Sequence, residues 1–395
     1  MCVINVLTKA TAGLLISLIV SGDGHAADDM KPRKGPRFST FPACASSAVT
    51  TTCERALTTE RAEAIAQSAP AQAMNYESHG ETIDITFRTS AKAFAFGEAP
   101  YLCCDLQTYL KPVSEGLWGV SIDAPKLNAA VLQLSIANLL GAPSPHRDFR
   151  GPDATHPRVT SEGPAVALER RTINSRHLQA ARDIHVYRGR FCQRGLARCQ
   201  VLYLADGASY APFLNYGPSP TAQKRLDHLV IVGIDPPTDD DQFGEKRMGE
   251  LLLAAGDSDK FNAFERFVTD EVIPLVEPTP VSRRARFVGG WSNGGAWALS
   301  MALAHSELFS TALVFSNGIW KPPSYPVKVK DLKIKFGGGT LEQSSKKFDA
   351  YAHQIAQLGP SVDEQYVVGG HSISTWNALF WWAIAPPDTE RNTRN

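Results

Sequence analysis

Two hydrophobic rhythms divide the chain. Over residues 81–137 apolar and polar positions alternate in short runs: Thr82-Ile83-Asp84-Ile85-Thr86-Phe87-Arg88, then Gly116-Leu117-Trp118-Gly119-Val120-Ser121-Ile122-Asp123 and Ala130-Val131-Leu132-Gln133-Leu134-Ser135-Ile136. Alternation with a period of two, broken by turn residues, predicts half-buried strands. Several such strands at this spacing predict a small antiparallel β-sandwich of the Ig-like (E-set) kind. Phe94, Phe96 and Trp118 are read first as its core; a ligand-facing aromatic surface is their other use. Further along, the apolar runs lose their polar partners. Asp183-Ile184-His185-Val186-Tyr187, Cys199-Gln200-Val201-Leu202-Tyr203-Leu204 and His228-Leu229-Val230-Ile231-Val232-Gly233 read as strands, the last nearly all apolar, as expected when both faces of a sheet are covered. Thr311-Ala312-Leu313-Val314-Phe315-Ser316, Leu332-Lys333-Ile334-Lys335-Phe336 and Glu364-Gln365-Tyr366-Val367-Val368 continue the series, with helices expected over 262–276 and 348–358. Repeated β-α alternation predicts a mostly parallel α/β sheet, whose active site lies at the carboxyl ends of its strands.

The rest of the chain falls around these two blocks. Lys9 precedes an apolar run over 10–20, and Gly24-His25-Ala26 supplies small residues, so 1–26 reads as a secretory signal peptide cleaved after Ala26. The run is too short to span a membrane comfortably. A leader over 27–75 is basic at first (Lys31, Arg33, Lys34, Arg37), then Ser/Thr/Ala-rich, with one helix expected at 59–67. The sandwich domain is placed at 76–140 and a linker at 141–170, on the strength of Pro143, Pro145, Pro152, Pro157 and Pro164. The α/β domain fills 171–395.

Composition narrows the function classes. The 395 residues carry 40 basic and 40 acidic side chains, a balance that argues against a broad nucleic-acid surface. No stretch predicts a membrane span. Without Cys2, six of the seven cysteines remain after signal cleavage, an even number suited to an oxidising compartment. Cys44–Cys53 and Cys192–Cys199 are the expected bridges. Cys103 and Cys104 are adjacent and either bridge each other or stay reduced. The cysteine spacings do not fit a zinc site. A periplasmic or secreted protein is expected, with no metal and no cofactor.

The chemistry centres on Gly290-Trp291-Ser292-Asn293-Gly294, preceded by the apolar Phe287-Val288-Gly289 and followed by small helix formers. Gly-x-Ser-x-Gly between a strand and a helix is the nucleophile-elbow pattern, in which a sharp turn lifts the serine hydroxyl clear of the sheet. A serine needs a base to take its proton. Of the histidines after Ser292, His305 ends the helix behind the elbow and His353 sits mid-helix. His371 follows a strand in the loop Gly369-Gly370-His371-Ser372, on the same sheet edge as Ser292. His371 is the expected base. The acid should follow the preceding strand: Glu342 is the first carboxylate there, and Asp349 is its competitor. One oxyanion donor is the N–H of Asn293; the other is Gly207 or Ala208, in the loop after Leu204. Arg247, Trp291 and Trp376 are the candidate substrate contacts, Arg247 having pairing with Glu250 as its other use.

These motifs resemble a known family. Ser175-Arg176-His177-Leu178, Arg182-Asp183-Ile184-His185-Val186-Tyr187, Val201-Leu202-Tyr203-Leu204-Ala205-Asp206-Gly207, Arg247-Met248-Gly249-Glu250-Leu251, Gly290-Trp291-Ser292-Asn293-Gly294-Gly295, His305-Ser306-Glu307-Leu308-Phe309, and Gly370-His371 with Trp376 occur in the order of the putative-esterase family. That family includes esterase D, enterochelin esterases, feruloyl esterases and mycolyltransferases. The resemblance covers about residues 175–385. It implies an α/β-hydrolase fold and a Ser292-Glu342-His371 triad. The family pattern is departed from in the bulky Trp291 beside the nucleophile and in a glycine-rich acid loop bearing Glu rather than Asp. A β-sandwich ahead of the catalytic domain resembles the enterochelin-esterase layout. The expected function is an exported serine esterase acting on a siderophore lactone. A polysaccharide-directed feruloyl or acetyl esterase, an acyltransferase and a non-catalytic glycan-binding protein are the alternatives. The expected partner is therefore a small-molecule or glycan-linked ester.

Overall fold

The computed structural model describes residues 40–45, 51–67, 74–91, 94, 97–139, 145–159, 166–240, 245–253, 258–317, 329 and 331–384. The expected signal peptide and the basic part of the leader lie outside them, as does Phe96.

The N-terminal strands are β1 (Cys53–Arg55), β2 (Met74–His79), β3 (Thr82–Arg88), β4 (Tyr101–Cys104), β5 (Thr108–Tyr109), β6 (Lys111–Ser114), β7 (Leu117–Asp123), β8 (Val131–Ile136) and β9 (His146–Arg150). They form two antiparallel sheets, β1-β7-β3-β2 with β6 beside β7, and β5-β4-β8-β9. The alternating residues explain why the sheets share a core: Ile83, Ile85, Phe87, Val120 and Ile122 from one sheet meet Leu102, Leu132, Leu134 and Ile136 from the other. Each such side chain stabilises the fold by roughly 1.5–3 kcal/mol when fully buried. Trp118 is half-buried and sits edge-on to Phe94 at 5.8 Å, a packing contact.

Two boundaries differ from expectation. The helix Thr59–Ala66, capped by the Thr58 hydroxyl, buries Ala62 and Ala66 against Leu117 of β7, so this part of the leader is packed onto the sheet. The stretch 141–170, read as a linker, contains β9, which pairs with β8 and puts Phe149 into the core. None of its prolines falls within 146–150, so the ladder donors of β9 are intact and the proline content around it is no obstacle.

The larger part contains β10 (Glu169–Ser175), β11 (Ala180–Arg188), β12 (Gln200–Ala205), β13 (Leu229–Ile234), β14 (Arg286–Trp291), β15 (Thr311–Phe315), β16 (Lys333–Gly339) and β17 (Ser361–Val367). They form an 8-stranded sheet in the order β10-β11-β13-β12-β14-β15-β16-β17. β11 runs antiparallel to both neighbours, and every pair from β13 to β17 is parallel. Alternate residues of β12 enter opposite cores, Val201 and Tyr203 on one face, Leu202 and Leu204 on the other. That is why its sequence reads as one apolar run.

The helix expected over 262–276 is broken in three: Ser258–Phe267, a π-turn at Val268–Val272, and Ile273–Val276. Pro274 lacks an N–H and its ring crowds the carbonyl one turn back, so the ladder widens there. Cys44–Cys53 and Cys192–Cys199 are bridged as expected. Cys103 is also disulfide-bonded; the side chain of Cys104 lies outside the described residues. Among the described residues no helix is long and apolar enough to cross a membrane.

Candidate active site

β14 ends at Trp291 and the helix Asn293–Ala304 begins two residues later, with Ser292 alone in the turn. Ser292 has φ 54° and ψ −127°, a conformation that costs a side-chain-bearing residue of order 1–3 kcal/mol. The turn is tight enough that a Cβ on Gly290 would strike the backbone of Gly294, while one on Gly294 would crowd Ala205 and Asp206, which accounts for both glycines of the motif. The Ser292 N–H donates to Phe315 O at 3.0 Å and its carbonyl accepts from Gly295 N–H, so the turn is tied to β15 and to its own helix. The first N–H groups of a helix have no intrahelical partner, which leaves that of Asn293 free to meet an anion.

The acid and base come from the next loops along the same edge. Glu342 is buried after β16, and its Oε2 lies 2.8 Å from His371 Nδ1, in the loop after β17. Its other oxygen accepts from the Ser316 hydroxyl at 2.5 Å and the Gly339 N–H at 2.7 Å. Two backbone bonds stitch the acid loop to the base loop, Thr340 N–H to Val367 O and Leu341 N–H to Gly369 O. Ser292 reaches the same edge through two tryptophans: Trp291 stacks on Trp376 at 5.6 Å, and Trp376 stands edge-on to His371 at 5.2 Å. Among the described residues the Ser292 hydroxyl makes no hydrogen bond to His371.

β12 lies beside β14 in parallel register, with Leu204 opposite Gly289, so the loop after β12 rises next to the elbow. Asp206 and Gly207 both have positive φ there (67° and 56°) and turn the chain into the 3-10 helix Gly207–Asn215. The buried Asp206 carboxylate is held by Arg247, whose Nη2 donates at 2.7 Å while Nε binds the other oxygen. Removing one partner of such a pair leaves a buried charge uncompensated. Arg247→Ala is therefore expected to destabilise the fold by about 3–5 kcal/mol in denaturant titration, and to lower activity with it.

Residues 175–384, more than half of the chain, match the family model described as Putative esterase. The chain belongs to this esterase family. It is a carboxylic ester hydrolase. The enterobactin esterase of Shigella flexneri, solved in the presence of 2,3-dihydroxy-N-benzoyl-serine, is 19% identical with a TM-score of 0.52, over 82% of this chain and 97% of that one. Its structure in the presence of enterobactin gives 18% and 0.54 over the same shares. The ferric enterobactin esterase of Salmonella typhimurium gives 16% and 0.52, again over 82% and 97%. At these identities the likeness is one of fold. No curated protein matches the chain.

Within this esterase several expected roles move. Arg247 pairs neither with Glu250 nor with an open cleft: it is buried on Asp206, while Glu250 is taken by Arg182 at 2.7 Å. Trp291 and Trp376, expected to meet substrate, are also buried. Trp291 packs into the core on Phe213, and the Trp376 indole N–H donates to Ser316 Oγ, so both support the site from beneath. Asp349 is exposed and lies 3.3 Å from the Tyr366 hydroxyl, away from His371. His305 binds Glu265, whose carboxylate raises its pKa and favours the charged ring, the wrong form for a base. His353 is exposed beside Gln357. Ser316, with φ 45°, went unnoticed in the sequence. The signal was there: it follows β15 at the same sheet edge where Glu342 follows β16 and His371 follows β17.

The base loop also leans on the N-terminal sheets. A Cβ on Gly370 would overlap the backbone of Asp105, and Val131 of β8 forms a parallel bridge with Gly369. Gly370→Ala has no flexible neighbour to displace. It is expected to cost about 1–3 kcal/mol or more, and to depress kcat by shifting His371. Thermal unfolding and steady-state kinetics on the same preparation would check this.

Proposed function

We propose that this chain is an exported serine esterase of the enterochelin-esterase type, working through an acyl-enzyme on Ser292. The observation that carries the reading is the buried Glu342–His371 hydrogen bond, set at the same sheet edge as a strained, elbow-mounted serine. In the proposed cycle the Ser292 hydroxyl attacks the ester carbonyl as His371 takes its proton. The N–H of Asn293 and that of Gly207 or Ala208 hold the oxyanion, each contributing about 3 kcal/mol. Collapse expels the alcohol, which leaves with the proton from His371. Water, deprotonated by the same imidazole, then attacks the acyl-enzyme, and Ser292 leaves as the restored hydroxyl. Glu342 keeps the ring in the tautomer with Nδ1 protonated and stabilises its charged form.

The substrate class rests on architecture. The likeness to the enterobactin esterases spans 82% of the chain, which exceeds the esterase match and so reaches into the N-terminal sheets. We read those two sheets as an Ig-like module of the same layout. Export is supported by the two closed bridges, which suit an oxidising compartment.

The test is hydrolysis of enterobactin by the mature protein, followed by chromatography, beside an acetylated or feruloylated polysaccharide. Release of dihydroxybenzoyl-serine at the higher kcat/KM supports the reading. Preference for the polysaccharide, or transfer to an added alcohol outrunning hydrolysis, would replace it. Glycan binding with no turnover of either ester would sink the enzyme's proposed mechanism.

A further inference from the structure

We propose that Asp105, supplied by the N-terminal sheets, is a positioning residue for the base loop: its carboxylate holds the Gly370 backbone where the next residue, His371, meets Glu342. The inference rests on the serine-esterase reading above.

Asp105 is fully buried after β4. Its Oδ1 accepts from Gly370 N–H at 3.1 Å and its Oδ2 from Gln133 N–H on β8. One carboxylate thus ties the base loop to the second N-terminal sheet. The surroundings point the same way. Leu341, the residue before Glu342, and Val368, at the start of the base loop, both pack into the core shared by the two N-terminal sheets. The Gln343 amide donates to Gln107 O, two residues beyond Asp105. Acid loop and base loop are each anchored in the N-terminal part, which a detachable recognition module would not require.

Asp105 is a poor choice as a staple for the fold. Among the described residues no cation pairs with it, and a buried carboxylate without a countercharge is expensive. Burial pushes its pKa up to about 7, against the pull of the Ser372 hydroxyl and of the Gln133 and Gly370 N–H groups, and the charge of Glu342 adds to the rise. A folded pKa above the unfolded one means that its contribution to stability is full at acid pH and lost as pH climbs towards about 7. The ionised form, costly to the fold, is the one that accepts two N–H groups. Protonated, one oxygen carries a hydrogen and becomes the weaker acceptor, so one of the two N–H groups is held less firmly. The ionisable group that acts on it is Glu342, on the acid loop. His371 must likewise be unprotonated to act as base, so two proton losses precede turnover.

The test uses the full mature chain with p-nitrophenyl butyrate over about pH 5 to 9, comparing wild type, Asp105→Asn and Ser292→Ala. Asparagine keeps the size and removes the second acceptor. Asp105→Asn is expected to lower kcat by about 10–100-fold with KM little changed, the scale of a misplaced catalytic group. The acid limb of log kcat should have a slope of about two in wild type and one in the variant, because one of two required ionisations is gone. The low-field proton NMR signal of His371 Nδ1–H should shift or broaden in Asp105→Asn and stay sharp in wild type. A wild-type slope of one, or a variant with wild-type kcat and an unchanged signal, would overturn the assignment. If Asp105→Asn does not fold, the wild-type slope decides alone. Full activity in Ser292→Ala would instead remove the esterase reading, whatever Asp105 does.

Discussion

Replacing Ser292 by alanine is expected to lower kcat on an aryl ester by roughly three to six orders of magnitude, with stability close to that of wild type. The size of the loss follows from the role: without the hydroxyl no acyl-enzyme can form, and what survives is the help that oxyanion donors and binding give to water. The unchanged stability follows from the backbone. Serine and alanine both carry a Cβ, so both bear the strain of φ 54° at this turn. The side chain is buried, yet it makes no hydrogen bond to His371 among the described residues that alanine would forfeit. Steady-state kinetics and urea unfolding check the two halves separately. A variant retaining more than about a tenth of wild-type kcat could not be reconciled with nucleophilic catalysis at this residue.

The second large effect is expected from Glu342→Gln, a kcat loss of about 10⁴-fold with KM little altered. Glu342 sits among donors only: the Ser316 hydroxyl and Gly339 N–H on one oxygen, His371 Nδ1 and the Ser344 hydroxyl on the other. A glutamine must turn its NH₂ towards one of these. Facing His371, it forces the tautomer that carries the proton on the far nitrogen, where the serine needs an acceptor. Facing Ser316 and Gly339, it sets donor against donor in a buried site. The two orientations are separable by adding Ser316→Ala, which removes one of the two opposing donors in the second, leaving only the Gly339 N–H, and does not touch the first. Kinetics on the single and double variants read out the difference.

Much of the site was legible because parallel sheets impose a simple rule. Loops that follow the strands collect at one edge, so Ser292, Glu342 and His371 could be placed there by counting strands. The same rule contains Ser316, which was overlooked because serine after a strand is ordinary. What the sequence hid was non-local. Arg247 lies three residues from Glu250 on a helix, a spacing that suggests a pair, but its partner Asp206 is 41 residues away. Trp291 looked like a substrate wall because it adjoins the nucleophile. Strand alternation sends its side chain into the core beneath the sheet edge instead. β9 was concealed by flanking prolines, although none interrupts it. Asp105 is 265 residues from Gly370, and no pattern within either segment announces the other.

The measurement that bears most directly on the account is covalent labelling of the folded mature protein with a fluorophosphonate, followed by peptide mass mapping. A single adduct is expected, on Ser292, forming readily in wild type and strongly slowed in His371→Ala. Folded protein that takes up no label, or carries it on another residue, would contradict it.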